Sequence, residues 1–268
     1  MNIYRYAQYP TIAEFNDIYE GKQESWNKMI LNVSTNKEYG LLEIDNIEYD
    51  NWKAEYNSRV ADLINTYVLM SFYYQKGIPD ENWTAYPNPN RKIHFPDFKE
   101  EHYNYLYWFS FYLESYYTRF FGIIDTLYHL VNVKYELSIL PKSGFNGEVV
   151  KGIKKKDKDL GQKLRKNTLL KNRVFNQADS YRNNLTHNYR PHQILVLPNK
   201  RGVNETDYIY DMTTGERKKA MDHPQSHNIA VYEGLTMKYT TTKDFIVNVE
   251  ETIIFLGEFI LDIKDKLK

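Results

Sequence analysis

Residues 105–131 read YLYWFSFYLESYYTRFFGIIDTLYHLV, and this run settles the class of structure the chain can form. Tyr105, Trp108, Phe109, Tyr112, Leu113, Tyr116, Phe120, Ile123, Ile124, Leu127, Leu130 and Val131 return at steps of three and four. That is the period of a helix with one wide apolar face. The pattern extends from Phe98 to about Leu140, and the first proline to interrupt it is Pro141. A straight helix of that length would span about 60 Å, more than a small bundle is wide. A bend or a division into two helices is therefore expected, with Gly122 as the weak point.

Outward from this run the same period recurs. Val60, Leu63, Ile64, Tyr67, Val68 and Phe72 predict a helix over Trp52 to Lys76, ended by Gly77-Ile-Pro79. Pro79, Pro87, Pro89 and Pro96 mark residues 78–97 as a loop. Near the C-terminus, Ile246, Val249, Ile253, Leu256, Ile260, Ile263 and Leu267 form a single apolar seam, with Thr241 or Thr242 as the N-cap. Between these lie a lysine-rich segment to Arg173 and a polar helix from about Val174 to Tyr189, which Pro191 stops. Residues 192–240 change character: Ile194–Leu197, Tyr208–Tyr210 and Thr213-Thr-Gly215 predict short strands and turns. The expected fold is all-α, an antiparallel bundle of four to five long helices with a small β-hairpin insertion before the last helix. Residues 1–50 are expected to be an acidic segment packed on the body, with Thr11 and Glu14 opening a short helix through a capping box. The body is then 51–268, with the β insertion at about 192–240.

The chain balances 35 Lys and Arg against 35 Asp and Glu, so its total charge selects no partner. Its distribution is uneven. Residues 151–173 hold ten bases and two acids, the pattern of a local anion-binding surface. The sequence has no cysteine, which excludes disulfides, thiolate metal sites and a cysteine nucleophile, and suits a cytoplasmic protein. The N-terminal residues lack the basic-then-apolar pattern of a signal peptide, and no apolar run is long enough to suggest a membrane span. Tyrosine occurs 25 times, so many core side chains carry a hydroxyl that needs a partner.

Against this background Asp179-Ser-Tyr-Arg-Asn-Asn-Leu-Thr-His-Asn-Tyr-Arg-Pro191 is unusually polar, with Leu185 as its one aliphatic residue. The spacing Arg-x4-His occurs once in the chain, at Arg182 and His187. Histidine titrates near neutrality and can take or return a proton; arginine offers a charged fork that fits phosphate oxygens. Asp179, Asn183 and His187 fall on one stripe, whereas Arg182 lies about 140° around the helix from His187. One copy of the helix therefore does not aim both groups at one point, which is a physical reason to expect a homodimer.

Arg182-Asn183-Asn184-Leu185-Thr186-His187 resembles the signature of the HEPN superfamily: an arginine, a polar residue that is often asparagine, a few others and a histidine. The resemblance rests on six residues and a compatible order of helices. It implies an all-α bundle and a metal-independent endoribonuclease without a cofactor, in which two copies of the motif meet across a dimer. His187 would be the acid and base, Arg182 the phosphate clamp, and Asn183 and Asp179 would orient them. Lys154, Lys155, Lys156, Lys163, Arg165, Lys166, Arg190 and His192 are the candidates for RNA contact. A toxin or phage-defence setting goes with the resemblance, and with it an antitoxin or other protein partner. The alternative is a non-catalytic HEPN-like module that binds RNA, a nucleotide or a protein through the same surface. A third reading is purely structural: Arg182 paired with Asp179, and His187 satisfying helix-end carbonyls. Lower in rank stand base stacking by Tyr181 and Tyr189, core roles for His102 and His129, and a metal cluster of Asp222, His223 and His227.

Overall fold

The computed structural model describes residues 5–32, 44–88, 91–169, 172–187, 190, 193–201, 208–210, 217–219 and 231–268. The two strongest apolar periodicities become two helices, α3 (Ile44–Gln75) and α4 (Glu100–Lys134), that pair extensively. Before them come α1 (Ile12–Glu20) and α2 (Gln23–Met29). After them follow α5 (Phe145–Lys156), α6 (Lys158–Leu164), a π turn (Arg165–Leu169) and α7 (Arg173–His187). The last long element, α8 (Thr242–Ile263), runs into a 3₁₀ turn at Lys264–Leu267. The fold is all-α, as the periodicity predicts.

Besides α3 starting at Ile44 rather than the expected Trp52, two boundaries differ from the sequence reading. The helix α4 is a single uninterrupted element of 35 residues, neither divided at Gly122 nor continued to Leu140. Gly122 serves an approach from α3 instead: a Cβ there would stand 3.1 Å from Arg59 Nη1, and the Gly122 carbonyl accepts from Thr126 Oγ1 at 2.8 Å. The helix stops early because its end is held from outside. The Asn132 side chain both donates to and accepts from the backbone of Ile139, at 3.1 Å each, and Lys156 Nζ caps the carbonyls of Tyr135 and Glu136. The chain then turns away through Glu136 and Ser138, both in the left-handed region at φ 47° and 54°. At the other boundary, the residues expected to form only a loop contain an antiparallel pair, β1 (Thr84–Asn88) and β2 (Arg91–His94), with Thr84 opposite His94.

The core is one cluster that runs through all the long helices. Trp26 of α2 is fully buried with its ring 5.6 Å from that of Tyr67 on α3, edge to face. Tyr116 and Tyr117 of α4 are also fully buried, and both reach α8: Tyr116 bonds Thr252 Oγ1 at 2.8 Å and Tyr117 donates to Asn248 Oδ1 at 2.7 Å. The caps read from sequence are present. Thr11 and Glu14 form the capping box of α1, and Thr241 with Asp244 forms that of α8. Gly161 lets α6 lie against α5, where a Cβ would meet Lys154 Cγ at 2.4 Å.

The chain divides into two compact units, Met1–Arg190 with Thr241–Lys268, and Pro191–Thr240. In the second, β3 (Leu195–Arg201) pairs antiparallel with β6 (Val231–Lys238), and β4 (Tyr208–Tyr210) pairs antiparallel with β5 (Arg217–Lys219). The insertion thus holds two short ladders among its described residues.

Candidate functional site

The helix that carries the polar motif is anchored by a thin apolar line. Phe175, Ala178 and Leu185 are buried, and Tyr181 packs beside them. Asn172 starts the helix, its Oδ1 accepting from Phe175 N–H at 2.8 Å. Phe175 meets Phe121 of α4 at 5.2 Å, and Tyr181 meets Phe245 of α8 at 4.8 Å. That placement makes Tyr181 a packing residue.

At 100° per residue, Arg182 falls inside the arc set by Phe175, Ala178 and Leu185, while His187 falls about 140° away on the open side. Arg182 stands on the core side with its side chain 38% exposed, and His187 is exposed at the end of the helix. The Arg182 guanidinium lies 4.5 Å above the Phe121 ring and donates from Nη2 to Asp179 Oδ1 at 2.8 Å. Its Nε is buried and has no hydrogen-bond partner. A buried donor left unmade costs on the order of 1–3 kcal/mol, so this is a costly place for an arginine.

Arg182 also walls two clefts. One, of about 260 Å³, is lined by Glu114, Ser115, Thr118 and Arg119 of α4 and by Leu185 and Thr186 of α7. The other, of about 250 Å³, is lined by Phe121, Asp125, Tyr128, Asn146, Thr168 and Asp179. Glu114 and Arg119 interrupt an otherwise aromatic helix, and that break in pattern was the available signal for them. Nothing local could reveal the pairing of Phe121 with Arg182, because the two lie on different helices.

The remaining sequence candidates are placed unevenly. Asn183 is half-buried, and no side-chain hydrogen bond joins it to Arg182 or His187. Arg190 is exposed and pairs through Nε with Glu114 at 3.3 Å, which puts it at the rim of the first cleft. Arg165 and Lys166 are exposed on the π turn, close in sequence to the Thr168 that lines the second cleft. Lys155 is exposed and Lys154 packs over Gly161, both near the end of α5. They lie about 12 Å along the helix axis from Asn146, the α5 residue that lines the second cleft. Lys156 is engaged in capping α4, and Lys163 bridges Asp159 at 3.3 Å and Asp262 at 3.0 Å, which raises its pKa above the usual lysine range. His192 and Tyr189 lie outside the described residues, as do Asp222, His223 and His227. His129 is stacked on Trp52 at 4.3 Å, and loss of solvent lowers its pKa below the ordinary histidine value.

Two phenols border the clefts. Burial pushes Tyr128 up to about 12 and Tyr117 well above the usual tyrosine value, so both stay protonated near neutral pH. Neither suits a proton acceptor. His187 is the exposed group on this helix with the right chemistry. Among the described residues, no group of three or more His, Asp or Glu side chains could hold a metal ion, and no helix is long and apolar enough to cross a membrane.

Fold and site together define a class: an all-α bundle with an arginine–histidine pair on a late helix. The chain belongs to the HEPN superfamily, since the model of the Cthe2314-like HEPN family matches residues 52–250. The matched range begins in α3 and ends in α8, so it spans the helix carrying Arg182 and His187. HEPN domains often bind RNA and dimerise, and many are ribonucleases or act on nucleotides. No curated protein and no solved structure matches the chain significantly.

Proposed function

We propose that the protein is a metal-independent endoribonuclease whose site is completed by a second copy of the chain. The observation that carries this reading is the placement of Arg182. A guanidinium with a buried, unpaired Nε walls a cleft, while an exposed histidine ends the same helix.

In this reading Arg182 binds the non-bridging oxygens of the scissile phosphate through its fork, and Phe121 and Asp179 fix the plane of that fork. His187 takes the proton from a ribose 2′-hydroxyl. The O2′–P bond forms, the P–O5′ bond breaks, and the leaving O5′ receives a proton from an imidazolium or from water. The products are a 2′,3′-cyclic phosphate and a free 5′-hydroxyl. The 140° between Arg182 and His187 on one helix supports a site shared across a two-fold axis, in which the arginine of one protomer works with the histidine of the other.

The Asp179 ion pair and the Phe121 contact favour a second reading, a HEPN module that binds RNA without cutting it. Purified protein incubated with RNA in EDTA separates the two. The nuclease reading expects cyclic-phosphate products from the wild type. Arg182→Ala is expected to lower the rate by about 10²–10³-fold, the usual effect of removing one donor to a developing oxyanion. Arg182→Lys should recover part of it, as a point charge without the fork. Absence of cleavage in the wild type, or equal cleavage by the variants, leaves only the binding module.

A further inference from the structure

On α4, Tyr103, Tyr107 and Phe111 are 40%, 41% and 50% exposed, an aromatic row that no described element covers. Successive members lie four residues apart, a rise of about 6 Å. At 100° per residue these three share an arc of about 80° with Glu114, Thr118 and Phe121. Glu114 and Thr118 line the Arg182 cleft, and Phe121 is the ring on which the Arg182 guanidinium rests. The row therefore leads along one helix face into the candidate site.

Its charges are suited to a polyanion. At the far end, Phe95 and Phe98 touch Tyr103 at 6.4 and 4.9 Å, which joins the row to the exit of the β1–β2 pair. Residues 84–94 contain Arg91, Lys92 and His94 and no acid, and Lys92 lies 5.1 Å over the exposed ring of Tyr86. At the near end stand Arg119 and Arg182. Of the three acids on the arc, Glu100 pairs with Arg5 at 3.2 Å and Glu114 with Arg190 at 3.3 Å, while Asp125, one turn beyond Phe121, accepts from Asn146 Nδ2 at 3.0 Å. Cations at both ends with aromatic rings between them match the recognition of unpaired nucleotides, whose bases stack without regard to sequence.

We propose that this row is a stacking track that delivers single-stranded RNA to the Arg182 cleft. The proposal rests on the nuclease reading for its substrate and names the form in which that substrate enters. Duplex RNA, with its bases already stacked, would gain nothing from the track.

The test uses full-length protein in a His187→Ala background, so that bound RNA survives, with a short unstructured RNA and its blunt duplex as probes. Tyr103→Leu, Tyr107→Leu and Phe111→Leu together keep apolar bulk but remove the rings. They are expected to weaken single-strand binding by about tenfold or more and leave duplex binding unchanged. The swaps Tyr103→Phe, Tyr107→Phe and Phe111→Tyr should bind like the parent. If circular dichroism shows the triple variant unfolded, Tyr107→Leu alone carries the comparison, with a loss of about threefold or more expected. Unchanged single-strand affinity, or loss of a dimer with RNA affinity retained, overturns the track and marks the row as a protein contact. Cleavage by the chain with its native His187 is scored in parallel. Cleavage with track-independent binding defeats the track alone, and track-dependent binding without cleavage defeats the enzyme alone.

Discussion

His187→Ala is expected to reduce RNA cleavage by about 10²–10⁴-fold, the range typical of losing a general acid–base group. The same substitution should leave the melting temperature almost unmoved. His187 is exposed at the last position of α7, and surface changes of this kind usually fall within about 0.5 kcal/mol. Large loss of rate with intact stability is the signature of a chemical role. A cleavage rate within twofold of wild type would remove His187 from the reaction. A histidine that merely capped carbonyls would give the opposite pattern, a small loss of stability and no effect on rate.

Asp80→Ala is expected to show the largest effect on the fold. Asp80 follows α3 and is fully buried, and its carboxylate reaches the first turn of α8. It accepts from Thr242 N–H at 2.8 Å and from Thr242 Oγ1 at 2.9 Å. A carboxylate at a helix N-terminus meets both free amides and the positive end of the dipole. Losing two charge-assisted hydrogen bonds while stranding a buried amide should cost about 2–3 kcal/mol. In a domain of this size that corresponds to a melting temperature lower by roughly 4–12 °C. Asp80→Asn, which retains an acceptor without the charge, should lose less. A thermal melt in which Asp80→Ala matches wild type would mean that Thr241 and Asp244 suffice to start α8.

These two residues also show what the sequence could disclose. The seam of α8 and its Thr241 cap are local signals, and both were legible. So was the split between Arg182 and His187, because residue spacing alone fixes their angle on a helix. The early end of α4 was not, because it depends on Asn132 gripping Ile139 and on Lys156 reaching from α5. The β1–β2 pair was hidden by its prolines and its short, exposed strands. Asp80 read as one acid in a proline-rich loop, and only the fold brings it to Thr242. Phe121 read as one aromatic among many. Its contact with Arg182 joins two residues more than fifty positions apart in the chain, a distance that periodicity does not report.

The composite site requires Arg182 of one protomer to work with His187 of the other. Mixing the inactive Arg182→Ala and His187→Ala proteins under conditions that allow subunit exchange tests it directly. Each mixed dimer would hold one site with both side chains intact and one with neither. Cleavage should therefore return to roughly one quarter of wild type at equal mixing, as expected for statistical exchange of a two-fold dimer. A mixture no more active than its components, although sedimentation shows that mixed dimers form, would contradict the composite site.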